Sequence, residues 1–82
     1  MTATRRQRIL VVEDERELAE FLKFRLETAG FQVDIALCGK AAISWAVEHQ
    51  PDLVILDLVL PDMDGHKVCQ ELRRLYSFWA LP

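Results

Sequence analysis

Asp52-Leu53-Val54-Ile55-Leu56-Asp57 is an aliphatic run that ends abruptly in acid. Consecutive apolar residues with no polar alternate read as a strand covered on both faces, as inside a parallel sheet. Arg8-Ile9-Leu10-Val11-Val12-Glu13, earlier in the chain, has the same shape. The two runs predict strands over 8–13 and 52–57. Between and after them the period changes. From Asp14, read as an N-cap with Glu15 and Glu17 in the first turn, the apolar residues Leu18, Phe21, Leu22, Leu26 and Ala29 recur at helical steps. Gly30 supplies the stop, which gives a helix over 15–29.

Phe31-Gln32-Val33-Asp34-Ile35-Ala36 alternates apolar and polar and predicts an edge strand over 32–36. Ala42, Ile43, Ala46 and Val47 then form the stripe of a helix over 40–49, which must end before Pro51. After the run that opened this reading, Leu58 to Gly65 is a loop holding Pro61 and Asp64-Gly65. A last helix over 65–76 carries Val68, Cys69, Leu72, Leu75 and Tyr76 on one face. Strand and helix alternate with short connections, so the expected architecture is α/β, with βαβ units, a parallel sheet and right-handed crossovers.

One sheet of three strands has a single centre, yet strands 1 and 3 both have central composition. With strand 1 between strands 2 and 3, strand 3 becomes an apolar edge of the kind proteins normally protect. A neighbour beside strand 3 is therefore expected. A truncated chain, an intermolecular partner or a swapped segment would each supply it.

The 82 residues suit one small domain at most, over 1–82, with 1–7 and 77–82 as tails. Hydrophobic residues at 51% and charged residues at 28% make a globular composition and exclude a disordered or collagen-like chain. No apolar run approaches the roughly 20 residues that cross a bilayer, and no secretory leader is legible, so a cytoplasmic location is expected. The net charge of −3 argues against direct nucleic-acid binding. Arg5, Arg6 and Arg8 read as a solvated terminal cluster, and Cys38 and Cys69 as small buried apolar residues rather than a disulfide framework.

Function is concentrated in acid. In open parallel sheets the functional crevice lies beyond the carboxyl ends of the strands. Glu13 and Asp14 end strand 1 and Asp57 ends strand 3. Singly, Asp14 is an ordinary helix cap and Asp57 an ordinary turn former. On neighbouring strands the three would repel one another unless a hard cation lay among them, and Mg²⁺ suits a few carboxylates with open positions for phosphate oxygens. A carboxylate beside such an ion can act as a nucleophile, and Asp57 is the best placed because a loop follows it.

These residues carry a family resemblance. Ile9-Leu10-Val11-Val12-Glu13-Asp14-Glu15, with Pro51-Asp52 through Asp57-Leu58-Val59-Leu60-Pro61-Asp62-Met63-Asp64-Gly65, resembles the receiver domain of two-component response regulators. The likeness covers roughly residues 7 to 76. It implies a flavodoxin-like (CheY-like) sheet in order 2-1-3, incomplete in these residues. It also implies a phosphoacceptor role for Asp57 and a sensor histidine kinase as phosphodonor. Mg²⁺ would be held by Glu13, Asp14, Asp57 and the Val59 main-chain carbonyl. By the same resemblance the chain is a regulatory module and no enzyme. A complete receiver has five βα units. The Ser or Thr ending its fourth strand, the Lys ending its fifth and its aromatic switch residue have no counterpart here, which puts autodephosphorylation in doubt. Lys23, Lys40 and Lys67 sit on helices and cannot stand in for that Lys.

Two other function classes compete with this one. A haloacid-dehalogenase-like phosphatase also uses a strand-end Asp, but wants a second Asp where Val59 stands. An interaction or dimerisation module would use the edge of strand 3, with the acids as a relic. No glycine-rich phosphate loop follows strand 1, which argues against a nucleotide or flavin site. His49 and His66 show no metal-pair spacing and are expected at the surface. Trp45 is expected to be partly buried, and Phe78 and Trp79 to be a sticky tail.

Overall fold

The β-branched and leucine-rich runs do form strands, and the periodic segments between them form helices. In the computed structural model the order is β1 (Arg8–Val12), α1 (Arg16–Thr28), β2 (Gln32–Ala36), α2 (Gly39–His49), β3 (Leu53–Leu56) and α3 (Gly65–Leu75). The structure describes residues 6–57, 60–62 and 64–75, and of residues 74 and 75 the backbone only. The expected features at Arg5, Val59, Tyr76 and the 77–82 tail, and the side chain of Leu75, lie outside the described residues. Each strand and helix matches its expected range to within one residue at either end, apart from α3, whose expected end at 76 is outside the description.

The three strands are all parallel, in order β2-β1-β3. Val12 is in register with Ala36 on one side and with Leu56 on the other, so the three carboxyl ends lie level. Alternation along β1 divides the core. Ile9 and Val11 face α1, where they meet Ala19 and Val33. Leu10 and Val12 face α2 and α3, where they meet Ala42, Ala46, Val54, Val68 and Leu72. Leu10, Val11 and Leu72 are fully excluded from solvent.

Helix ends depart from the expected caps in an informative way. Asp14 is not the N-cap of α1; Glu15 holds that position, with extended backbone and no side-chain bond of its own. The missing acceptor comes from Glu13, whose Oε2 takes the Glu15 N–H at 3.0 Å. The other end of α1 closes as expected at Gly30, which has φ of +104°. The Phe31 N–H reaches the Leu26 carbonyl and the Gly30 N–H the Glu27 carbonyl, the paired closure that a left-handed glycine permits.

Three side-chain expectations are corrected. The buried stripe of α1 is centred on Ala19, with Leu22 and Leu26 half-buried beside it, whereas Phe21 is 54% exposed and Leu18 is 40% exposed. On α2, Val47 is exposed rather than buried, because Ala42 and Ala46 alone point at the sheet while Ile43 and Trp45 flank them. Cys38 and Cys69 are free and half-buried, at a helix start and on a helix side rather than within the core. β3 is also less covered than its composition suggested: Val54 is buried, but Leu53, Ile55 and Leu56 are half-buried. It is an edge strand, and among the described residues nothing pairs with its outer side.

Candidate metal and phosphoacceptor site

The ladder continues one residue past each strand end. The Glu13 N–H donates to the Ala36 carbonyl at 3.0 Å, and the Asp57 N–H to the Val12 carbonyl at 2.9 Å. Since Val11 pairs with Ile55 and side chains alternate, Glu13 and Asp57 follow in register on the same face of the sheet. Asp14 stands in the bend that leads to α1. The result is a cluster in which one carboxylate oxygen from each of Glu13, Asp14 and Asp57 lies within 4.8 Å of the others. Glu13 and Asp57 are half-buried and Asp14 is exposed, so the cluster has a wall and an open side.

Glu13 is perturbed by its neighbours. The strongest influence on Glu13, the Glu15 N–H bond, lowers its pKa. Partial burial, the Asp57 charge and the adjacent Asp14 together outweigh it, and the net shift is upward from 4.5. The fold thus holds this proton longer than the unfolded chain does. Without a cation, it loses stability on Glu13's account as pH rises from 4.5 through the higher folded value. Three hard oxygen donors brought this close are the donor set a divalent cation takes, so the residues fit Mg²⁺. Among the described residues this is the one group of three or more potential ligands. His49 and His66 are exposed and take no part in it: His49 stacks on Trp45 at 4.4 Å, and His66 lies in the first turn of α3.

Three other acids have structural work that sequence reasoning did not assign. Asp52 Oδ2 accepts the Arg8 N–H at 2.7 Å, tying β3 to β1 at the end remote from the cluster. Asp64 accepts the His66 N–H at 2.9 Å and so caps α3. Asp62 reaches across to the first turn of α2, where its Oδ1 takes the Gly39 N–H at 2.7 Å and its Oδ2 the Lys40 N–H at 2.9 Å. A signal for this last contact was present: α2 follows Cys38, which has no side-chain cap bond, so its free N–H groups needed an acceptor from elsewhere.

The Lys40 and Gly39 N–H bonds hold the Asp62 carboxyl below its ordinary value of 3.8. A depressed carboxylate stabilises the fold fully above 3.8, and that contribution disappears as pH falls through the lower folded value. The thermal midpoint of the chain is therefore expected to fall more steeply over that acidic window than that of Asp62→Asn. Calorimetry at stepped pH checks this.

Comparison with known proteins now bears on the site. The response regulator receiver domain family matches residues 9–79. The response regulator protein TrrA from Thermotoga maritima, solved in complex with Mg²⁺-BeF, is 40% identical with a TM-score of 0.80; the match covers 83% of this chain and 59% of that one. A CheY-like receiver domain from Methylobacillus flagellatus is 38% identical with a TM-score of 0.81, over 84% of this chain and 58% of that one. The chemotaxis protein CheY4 of Vibrio cholerae is 25% identical with a TM-score of 0.88, over 94% of this chain and 66% of that one. The chain thus spans between about half and two-thirds of the length of these solved relatives. No described helix is long and apolar enough to cross a membrane. With a sheet in order β2-β1-β3, an acidic cluster at its carboxyl ends and the family's model matched from Ile9 onward, this chain belongs to the response regulator receiver domain family, a regulatory module.

Proposed function

We propose that this receiver accepts a phosphoryl group on Asp57 from the phosphohistidine of a sensor histidine kinase, with Mg²⁺ held by Glu13, Asp14 and Asp57. The observation that carries the reading is the convergence of three carboxylates within 4.8 Å at the ends of adjacent strands. The Val59 main-chain carbonyl, by family resemblance, is the remaining protein ligand. The relative solved with Mg²⁺-BeF supports the same reading. On this reading residues 1–82 form one receiver unit acting in the cytoplasm.

In the transfer, an Asp57 carboxylate oxygen attacks phosphorus. The P–N bond to the donor imidazole breaks, its electron pair stays on the ring nitrogen, and that nitrogen takes a proton from water. Bound Mg²⁺ supplies positive charge against the phosphoryl oxygens. Asp57 is suited to attack because its N–H bond to Val12 fixes its backbone at the end of β3. Glu13, held through the Glu15 N–H, keeps the first turn of α1 beside the cluster.

Titration of the chain with Mg²⁺, followed by amide NMR, tests the reading. Saturable shifts at Glu13, Asp14 and Asp57 are expected, weakened about tenfold or more when Asp14 is replaced by Asn, because one of three anionic donors is lost. Absence of saturable binding by a folded chain would sink it. The outer side of β3, unpaired among the described residues, favours a second reading, a homo-oligomer or swapped pair joined along that edge. Size-exclusion chromatography showing an oligomer indifferent to Mg²⁺ and to Asp57→Asn would support that alternative.

A further inference from the structure

Leu18, Phe21 and Phe24 recur at three-residue steps on α1, so each lies beside the next on the helix surface, and all three are exposed. Phe21 lies about 160° round the helix from Ala19, the residue that α1 presses onto the sheet. Among the described residues, Val47 is the one other large apolar side chain left exposed. Two phenylalanines and a leucine side by side are more than the scattered apolar residues that every surface carries. Exposed charges frame them. Glu17 stands four residues before Phe21 and Arg25 four after, and the Arg25 guanidinium lies over the Phe21 ring, 5.7 Å from its centroid.

This face is complementary to itself. With Phe21 at its centre, Glu17 and Arg25 lie about 40° to either side, and Leu18 and Phe24 about 60° to either side. The two charges are opposite in sign and equally far from Phe21 along the axis. Where a second α1 crosses the first in the antiparallel direction at Phe21, Glu17 of each chain comes level with Arg25 of the other. The two chains then make two such contacts around a Phe21–Phe21 centre, at the usual helix separation of about 8–10 Å. Leu18 and Phe24 close on the centre from its two sides. A parallel crossing would instead set Glu17 against Glu17 and Arg25 against Arg25, so the charges choose both the occupant and its direction.

We propose that this face of α1 is a docking surface for a second copy of the chain, the two copies joined antiparallel about a two-fold axis at Phe21. Neither the acidic cluster nor the outer side of β3 takes part. One flank of a single helix offers less surface than a permanent dimer uses, so the pairing is weak, with a dissociation constant of about 10⁻⁴ M. At the micromolar concentrations of an unfolding experiment the chain is then a monomer.

Sedimentation equilibrium of the whole chain from about 10 μM to about 1 mM tests this, with amide NMR followed over the same range. The parent chain is expected to pair, with concentration-dependent shifts gathered on residues 17–25. Phe21→Glu sets two like charges together at the crossing and is expected to weaken pairing about tenfold or more. The fold survives that change because Phe21 is exposed. Glu17→Arg and Arg25→Glu each turn two attractions into two repulsions, and each alone should weaken pairing about fivefold. An equimolar mixture of these two variants restores opposite charges at both contacts and should pair within about threefold of the parent chain. A parent chain still monomeric at about 1 mM overturns the inference and leaves the face to a different protein. An oligomer that survives Phe21→Glu also overturns it, because the copies are then joined elsewhere, as along β3. So does a mixture that pairs no better than its two components.

Discussion

Replacement of Asp57 by Asn is expected to reduce phosphoryl labelling of the chain by roughly a thousandfold or more, to the background of the assay. The nucleophile is the one group for which the cluster offers no substitute. Asn fills the same volume, so the hydrogen bond from the Asp57 N–H to Val12 and the end of β3 should survive. Its amide oxygen is too weak a nucleophile to open a phosphohistidine. Asp14→Asn should cost less, since it removes a proposed metal ligand and leaves the attacking oxygen in place. Labelling with a phosphorylated kinase or a small phosphodonor, followed by intact-mass spectrometry, gives the comparison. Equal labelling of the Asn variant would move the acceptor away from residue 57.

The second large effect concerns the fold. Leu10 is fully excluded from solvent and lies among Ala42, Ala46, Val54, Val68 and Leu72. Truncation to Ala leaves a cavity in a β strand paired on both sides, where little can relax into it. A cost of about 3 kcal/mol is expected. A chain of this size has only a thin margin of stability, so Leu10→Ala should lose a large share of it and unfold at a much lower urea concentration than the parent chain. Phe24→Ala is the control. At 67% exposure it should change stability by about 0.5 kcal/mol or less, although the side chain is larger. Urea unfolding followed by circular dichroism checks both, and similar midpoints for the two variants would contradict the core described above.

The order of elements, the parallel sheet and the edge position of strand 3 were legible because period and composition are strong over 8–13 and 52–57. The acidic cluster was legible for a different reason: parallel strands bring their carboxyl ends to the same side of the sheet, and the register of β1 with β3 makes the acids that end them meet. Packing faces were read less well. On α1 the eye follows Leu18 and Phe21, but the helix turns the small Ala19 to the sheet, because a close helix-to-sheet approach needs a small residue there. Caps were the least legible feature, since a helix start without its own acceptor shows that one is needed and not which residue supplies it. Asp14 has the type and position of an N-cap, yet Glu13 holds the first turn of α1, and Asp62 holds that of α2. The first bond spans only two residues and the second 23, and no local pattern encodes a contact of the latter kind, such as Asp62 on Gly39.

The central claim is that Asp57 carries the phosphoryl group. Borohydride reduction of the labelled chain, with peptide sequencing by mass spectrometry, tests it most directly, because hydride cleaves an aspartyl-phosphate to leave homoserine at the modified position. Homoserine at residue 57, formed only when Mg²⁺ was present during labelling, is the predicted result. Label retained on His49 or His66 with residue 57 still Asp, or no label on a folded chain that binds Mg²⁺, would contradict it.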